Sequence, residues 1–315
     1  MNNIKYLRGS YYDQKFFFLI LTFIFFSFQI VNAKTFKIPN YGDGGGGSNE
    51  NVTETVSDLQ FQKPILGNEY SDVTNNPLYY PKMLNGSAIV IISACGGIHS
   101  RNIDDLKRWN ALFLSNGFVT AVVNTTTYPR KKNCGRNKTQ SPSRGVKDVY
   151  DATRALSTVK GVDKNKIFVI GFSLGAMNAA KSIWSKNAKL ALKSNEIIPA
   201  AVIGLYGGCK YGQGQVNKTY LFSDLSKPIL WLMGGLDREA PAKDCAVVNK
   251  IKEKNSMSDF FIYKDATHYW DCKNMNGFSK VVGNGNTATY IYNQDITKDS
   301  EKRALNFLKK ILIKD

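Results

Sequence analysis

Histidine is nearly absent from this chain: its 315 residues include two, His99 and His268. None of the five cysteines forms a Cys-x-x-Cys pair, and two imidazoles add little to a ligand set, which argues against a structural zinc site. Acidic residues are also short, 25 against 42 Lys and Arg, for a formal charge of +17 and a pI near 9.5. The lysines are scattered, however, with no long basic run and no nucleic-acid motif, so nucleic acid is not an expected partner. The charge reads as a general surface property that favours, at most, weak association with anionic polymers or membrane surfaces. No cysteine closely follows the apolar run Phe16 to Val31, which argues against a bacterial lipoprotein anchor.

What is present points to export. Lys5, Arg8 and Lys15 precede the apolar run, and Val31-Asn32-Ala33 supplies compact residues for cleavage after Ala33. Residues 1–33 therefore read as a secretory signal peptide, placing the protein outside the cytoplasm, secreted or periplasmic. An uncleaved membrane anchor is the alternative, since the run falls just short of the roughly 17 to 25 residues that span a bilayer. All five cysteines, Cys95, Cys134, Cys209, Cys245 and Cys272, lie beyond the cleavage site, and their odd number leaves one unpaired within the chain. The sequons at Asn85, Asn124, Asn137 and Asn217 matter only if the host glycosylates.

Residues 34–78 contain Gly42-Asp43-Gly44-Gly45-Gly46-Gly47-Ser48 and read as a flexible linker. A single domain is expected over 79–315; 43% hydrophobic and 12% aromatic residues argue for a packed core. Apolar strand candidates are Ala88–Ile92, Phe118–Val123, Ile167–Ile170, Ala200–Tyr206, Pro228–Met233 and Phe260–Tyr263, the last read as a core strand. Helical spacing alternates with them over Ile103–Asn116, Val146–Val159, Leu174–Trp184, Ala242–Lys254 and Asp299–Ile313. Strand alternating with helix predicts an α/β fold, a mostly parallel central sheet with helices on both faces.

The chemistry centres on Gly171-Phe172-Ser173-Leu174-Gly175, between an apolar strand and a helix. Such a turn holds its serine in strained backbone at the exposed top of the sheet, while the glycines let strand and helix approach. The Leu174 amide would lie at a helix N-terminus, suited to an oxyanion. Serine needs a base, and His268 is the candidate downstream of Ser173; His99 would contact substrate or simply sit on the surface. Asp237, directly after the Pro228–Met233 strand, is the expected acid, with Asp244 and Asp265 as competitors. The Cys95 amide, after the first strong strand, is the second oxyanion candidate; the same residue also suits a structural half-cystine. Tyr206, Tyr269 and Trp270 would line a substrate pocket or belong to the core.

Together these residues resemble the dienelactone hydrolase family of the α/β-hydrolase superfamily over Ala88 to Leu312. The likeness rests on Cys95-Gly96-Gly97, Arg144 with Asp151-Ala152, Tyr206-Gly207-Gly208-Cys209, Gly234-Gly235-Leu236-Asp237 with Pro241 and Cys245, and Tyr263 with Ala266 and His268; Ala304 and Phe307-Leu308 match as well. It implies a Ser173–Asp237–His268 hydrolase of carboxylic esters or lactones, on small or polymeric substrates, with no metal or organic cofactor. Departures are the serine, where the founding activity uses cysteine, and Ser93-Ala94 where many relatives carry His-Gly. A Cys209–Cys245 disulfide is expected, with Cys95–Cys134 a second possible bridge and Cys272 left free. The alternatives are a serine peptidase of the same superfamily, which lacks support without a propeller-like N-terminal domain, and a non-catalytic envelope or binding protein retaining the fold.

Overall fold

Runs such as Ala88-Ile89-Val90-Ile91-Ile92 have no polar face to turn to water, so they fold as strands covered on both sides. The computed structural model describes residues 56–60, 74–124, 142–193, 195–213, 216–282 and 285–313, all within one compact unit. In chain order these form β1 (Val56–Gln60), β2 (Thr74–Tyr79), β3 (Ala88–Ile92), α1 (Ile103–Ser115), β4 (Val119–Val123), α2 (Pro142–Ser157), β5 (Ile167–Phe172), α3 (Leu174–Ser182) and α4 (Ser185–Lys193). There follow β6 (Ala201–Leu205), β7 (Lys210–Gln213), β8 (Val216–Thr219), β9 (Ile229–Gly234), α5 (Val247–Lys254), β10 (Asp259–Tyr263), β11 (Ser279–Val281), β12 (Thr287–Thr289) and α6 (Gln294–Leu312).

Eight strands make one sheet in the order β1-β2-β4-β3-β5-β6-β9-β10, parallel from β4 to β10 and antiparallel at the β1-β2-β4 edge. The mostly parallel sheet of the sequence reading is present. Side-chain alternation divides its core into two layers. Ile89, Ile91, Phe168, Ile170 and Phe172 face α1 and α6 through Trp109, Phe113, Phe307 and Leu308. Ala88, Val90, Ile92, Ile167 and Val169 face α2, α3 and α5 through Val149, Leu156, Ala179 and Ile251. The chain runs from β3 outward to β4 and then back across to β5, so the strand order reverses between β3 and β5. Ligands of open α/β sheets collect beyond the strand ends at such a switch point.

The structure departs from the sequence reading at several places. β1 and part of β2 fall inside the stretch read as linker; Val-Ser-Asp-Leu-Gln has no apolar run to announce a strand, and antiparallel pairing with β2 makes it one. β10 is the sheet edge rather than a core strand, with Ile262 half exposed. The Ala242–Lys254 helix is split into a 3-10 turn, Ala242–Cys245, and α5. Helix α4 and the hairpins β7-β8 and β11-β12 are additions to the sequence reading, short and polar segments without an apolar run. No helix among the described residues is long and apolar enough to cross a membrane. The candidate signal, its cleavage site and the Gly42–Ser48 stretch lie outside the described residues.

Cys209 and Cys245 form the expected disulfide, with Cα atoms 5.1 Å apart, and both are buried. It ties the loop after β6 to the turn before α5 across a sequence separation of 36. The entropy of closing a loop of that size in the unfolded chain gives a stabilisation of roughly 3–4 kcal/mol. Replacing both cysteines by alanine is expected to lower the urea midpoint by a corresponding amount, and an unchanged midpoint would show the bridge to be energetically idle. Cys95 is also disulfide-bonded, Cys134 lies outside the described residues, and Cys272 is the buried free thiol.

Candidate active site

β5 ends at Phe172 and α3 begins at Leu174, so one residue makes the whole turn. Ser173 takes it with φ 52° and ψ −116°, a conformation that costs a residue with a Cβ of order 1–3 kcal/mol. The strain persists because the surroundings fix it: the Ser173 amide donates to the Leu205 carbonyl at 3.0 Å and its own carbonyl accepts from Met177 at 3.1 Å. Close packing explains the two glycines. A Cβ on Gly171 would lie 2.4 Å from the Gly175 backbone, and one on Gly175 would lie 2.6 Å from the carbonyl oxygens of Ile92 and Ser93. The loop that carries Cys95 is thus pressed against the first turn of α3, where Leu174 opens the helix. That loop is braced by Asn124, whose side chain accepts from the Ile98 amide at 3.1 Å. The sequon at Asn124 therefore sits on a buried residue with a structural duty.

The other two candidates arrive on loops after β9 and β10. Backbone bonds join these loops, from Gly235 to Tyr263 at 2.8 Å and from Leu236 to Ala266 at 2.9 Å. Asp237 accepts from the amides of Glu239 and Ala240 through Oδ1, at 2.8 and 2.9 Å, leaving Oδ2 to face His268 Nδ1 at 2.7 Å. On the far side of the ring, His268 Nε2 lies 3.0 Å from Ser173 Oγ. With the proton on Nδ1 donated to Asp237, Nε2 is free to accept from the serine hydroxyl. Both His268 and Asp237 are buried while Ser173 is partly open. Burial pushes the His268 imidazole down, but the Asp237 carboxylate, then Glu239, outweigh it, and its basicity is raised above the ordinary value.

Aromatic rings enclose the imidazole: Tyr206 at 4.8 Å, Tyr269 at 5.1 Å and Tyr290 at 5.8 Å between centroids. Tyr206 and Tyr269 share the left-handed backbone of Ser173, with φ of 41° and 56°. Such values in non-glycine residues gather where tertiary contacts override local preference. Burial, then the Asp271 charge, raises the Tyr206 phenol well above its usual pKa. The Asp271 carboxylate itself accepts from Trp109 Nε1 at 2.8 Å and Arg108 at 3.2 Å. Behind this cluster a narrow cavity is lined by Ala94, Phe172, Tyr206, Tyr269, Asp105 and Cys272. Burial, followed by the Asp271 charge, lifts Asp105 to about 6.

The sequence candidates thus separate into groups. Ser173, His268 and Asp237 meet, with Leu174 and the Cys95 loop beside them. Trp270 does not stand in the site: it is wholly buried, edge-on to Tyr206 at 5.0 Å, because its layer of the core needs a large apolar ring there. Tyr206 is buried too, as packing for His268 and as one wall of the cavity. His99 is engaged in the turn before α1, where its Nδ1 accepts from the Arg101 amide at 3.3 Å. Of the competing acids, Asp244 lies in the 3-10 turn and Asp265 is on the loop leading to His268, whereas Asp237 makes the bond. Sequence reasoning missed Glu239, Tyr290, Asp271 and Asn124, whose hydrogen-bond partners lie 26 to 163 residues away along the chain.

A parallel sheet with a serine on a strained strand-to-helix turn, faced by histidine and aspartate from later loops, defines an α/β hydrolase. The sequence model of the dienelactone hydrolase family matches residues 76–312, and the chain belongs to that family. Among solved structures it is similar to a thermophilic esterase of Thermogutta terrifontis with butyrate bound, at 14% identity and a TM-score of 0.57 over 81% of this chain and 94% of that one. A dienelactone hydrolase-like promiscuous phosphotriesterase, P91, from metagenomic libraries aligns at 11% identity and TM-score 0.56, over 82% and 98%. The α/β hydrolase MGS-M1, from a deep-sea metagenome of the Medee basin, aligns at 17% and 0.51 over the same shares. At these identities the likeness shows the fold. No curated protein matches the sequence.

Proposed function

We propose that this hydrolase is an exported serine esterase that cleaves carboxylic esters or lactones by two-step acyl transfer. The observation that carries the reading is His268 standing between Ser173 Oγ at 3.0 Å and Asp237 Oδ2 at 2.7 Å. In the first step Ser173 Oγ attacks the ester carbonyl as His268 Nε2 takes the hydroxyl proton, and Asp237 stabilises the imidazolium. The carbonyl oxygen becomes an oxyanion beside the Leu174 and Cys95 amides. Collapse of this adduct expels the alcohol, protonated by His268, and leaves an acyl group on Ser173. Water then attacks with His268 again as base, releasing the acid and restoring the serine. Export is supported by the basic, apolar and small-residue succession up to Ala33 and by the buried Cys209–Cys245 bridge.

The test is hydrolysis of p-nitrophenyl esters of increasing acyl length, run beside labelling with a fluorophosphonate probe. Turnover of at least one ester with stoichiometric labelling is expected, and the length profile gives the reach of the acyl site. Labelling with cleavage of peptides but of no ester would move the assignment to a peptidase. Neither labelling nor turnover would identify a binding protein on a hydrolase fold.

A further inference from the structure

Asp237 is not the only carboxylate near the imidazole. Two residues on, Glu239 turns its backbone amide to Asp237 Oδ1 at 2.8 Å and its side chain to the β11-β12 hairpin. There it accepts from the Tyr290 hydroxyl and pairs with Lys280 Nζ at 2.8 Å. Tyr290 in turn lays its ring 5.8 Å from His268, and Lys280 stands 5.7 Å over that ring. Hairpin, acid loop and imidazole are therefore one bonded unit, and the hairpin joins the sheet's chemistry through Glu239.

We propose that Glu239 is a second counter-charge for the His268 imidazolium, a positioning residue set by Tyr290 and trimmed by Lys280, which makes the β11-β12 hairpin a regulator of the base. The proposal deepens the acyl-transfer reading and rests on it for its catalytic meaning. The groups facing His268 are Ser173 from the elbow, Tyr206 after β6, Asp237 and Glu239 after β9, Tyr269 on its own loop, Lys280 on β11 and Tyr290 after β12. Burial holds the phenols of Tyr206, Tyr269 and Tyr290 far above neutral pH, so they stay uncharged. Charge at this site is then carried by Asp237, Glu239 and Lys280. Asp237 bonds the ring and cannot be varied without breaking that bond, whereas Glu239 and Lys280, both half-buried, act through space from either side of the Tyr290 ring. Glu239 favours the protonated ring and Lys280 opposes it.

The presence of two histidines makes the test direct. In protein labelled with ¹³C at histidine, two imidazole signals are followed against pH, and His99→Gln assigns the one from His268. Glu239→Gln, which keeps an acceptor for Tyr290, is expected to lower the His268 pKa by about half a unit, and Lys280→Met to raise it by about as much. Opposite shifts with unchanged melting temperature establish the role. Shifts of the same sign, or none, would overturn it, because a residue that merely holds the hairpin gives no sign reversal. The titration needs no substrate, so it stands apart from failure of the esterase reading, which would appear as absent turnover and labelling in the unmodified protein. Where turnover is present, the acidic limb of kcat/KM follows the same two shifts: the neutral ring is the base, so a lower pKa extends activity to lower pH.

Discussion

Ser173→Ala is expected to reduce ester turnover by at least about 10⁴-fold, to a residue of activity owed to binding and the oxyanion donors. The change removes one oxygen, and with it the atom 3.0 Å from His268 Nε2, without disturbing a core contact. Ser173 is half-buried on its turn, and its backbone bonds to Leu205 and Met177 do not involve the side chain. The melting temperature is therefore expected to stay within a degree or two of the parent, corresponding to a change below about 0.5 kcal/mol. Circular dichroism melts beside p-nitrophenyl ester rates measure both quantities on one preparation. Undiminished hydrolysis at equal stability would remove Ser173 from the mechanism and leave the elbow a structural turn.

Gly175→Ala is the counterpart, a change of one methyl that is expected to damage fold and activity together. Its Cβ would meet the carbonyl oxygens of Ile92 and Ser93 at 2.6 Å, where backbone on both sides leaves nothing flexible to yield. Helix α3 must then draw away from β3, at a cost of about 3 kcal/mol typical of overpacking. The shift carries the Leu174 amide off the Cys95 loop, so kcat should fall even in the fraction that remains folded. Gly208→Ala serves as control, since its Cβ would find ordinary contacts no closer than 3.5 Å from Met177 Sδ. Urea unfolding of the pair separates the effects: equal midpoints would mean that the elbow is not closely packed after all.

These outcomes depend on features of unequal legibility. The elbow could be read directly, because its strand, turn residues and helix are contiguous and each has a local signature. The central strands were as plain, since burial on both faces demands unbroken apolar runs. Strands β1, β11 and β12 were invisible for the opposite reason: at an edge or in a hairpin, short polar segments are held by pairing with partners that the segment itself does not specify. Trp270 shows the limit for single residues. An aromatic beside a histidine suits a pocket wall and a core equally, and only the packing against Tyr206 and Tyr263 decides for the core.

By itself the sequence determined the alternation that makes a parallel α/β sheet, the position of the serine turn, and the order in which Asp237 and His268 follow it. These are local or ordinal properties, set by side-chain period and by the glycines that a tight turn requires. Tertiary structure decided the rest: which aspartate meets His268, that Asn124 braces the Cys95 loop, and that Glu239 bonds to Lys280 and Tyr290 of the hairpin. Those contacts join loops whose separation along the chain carries no periodicity, and only the folding of the sheet brings them within hydrogen-bond reach.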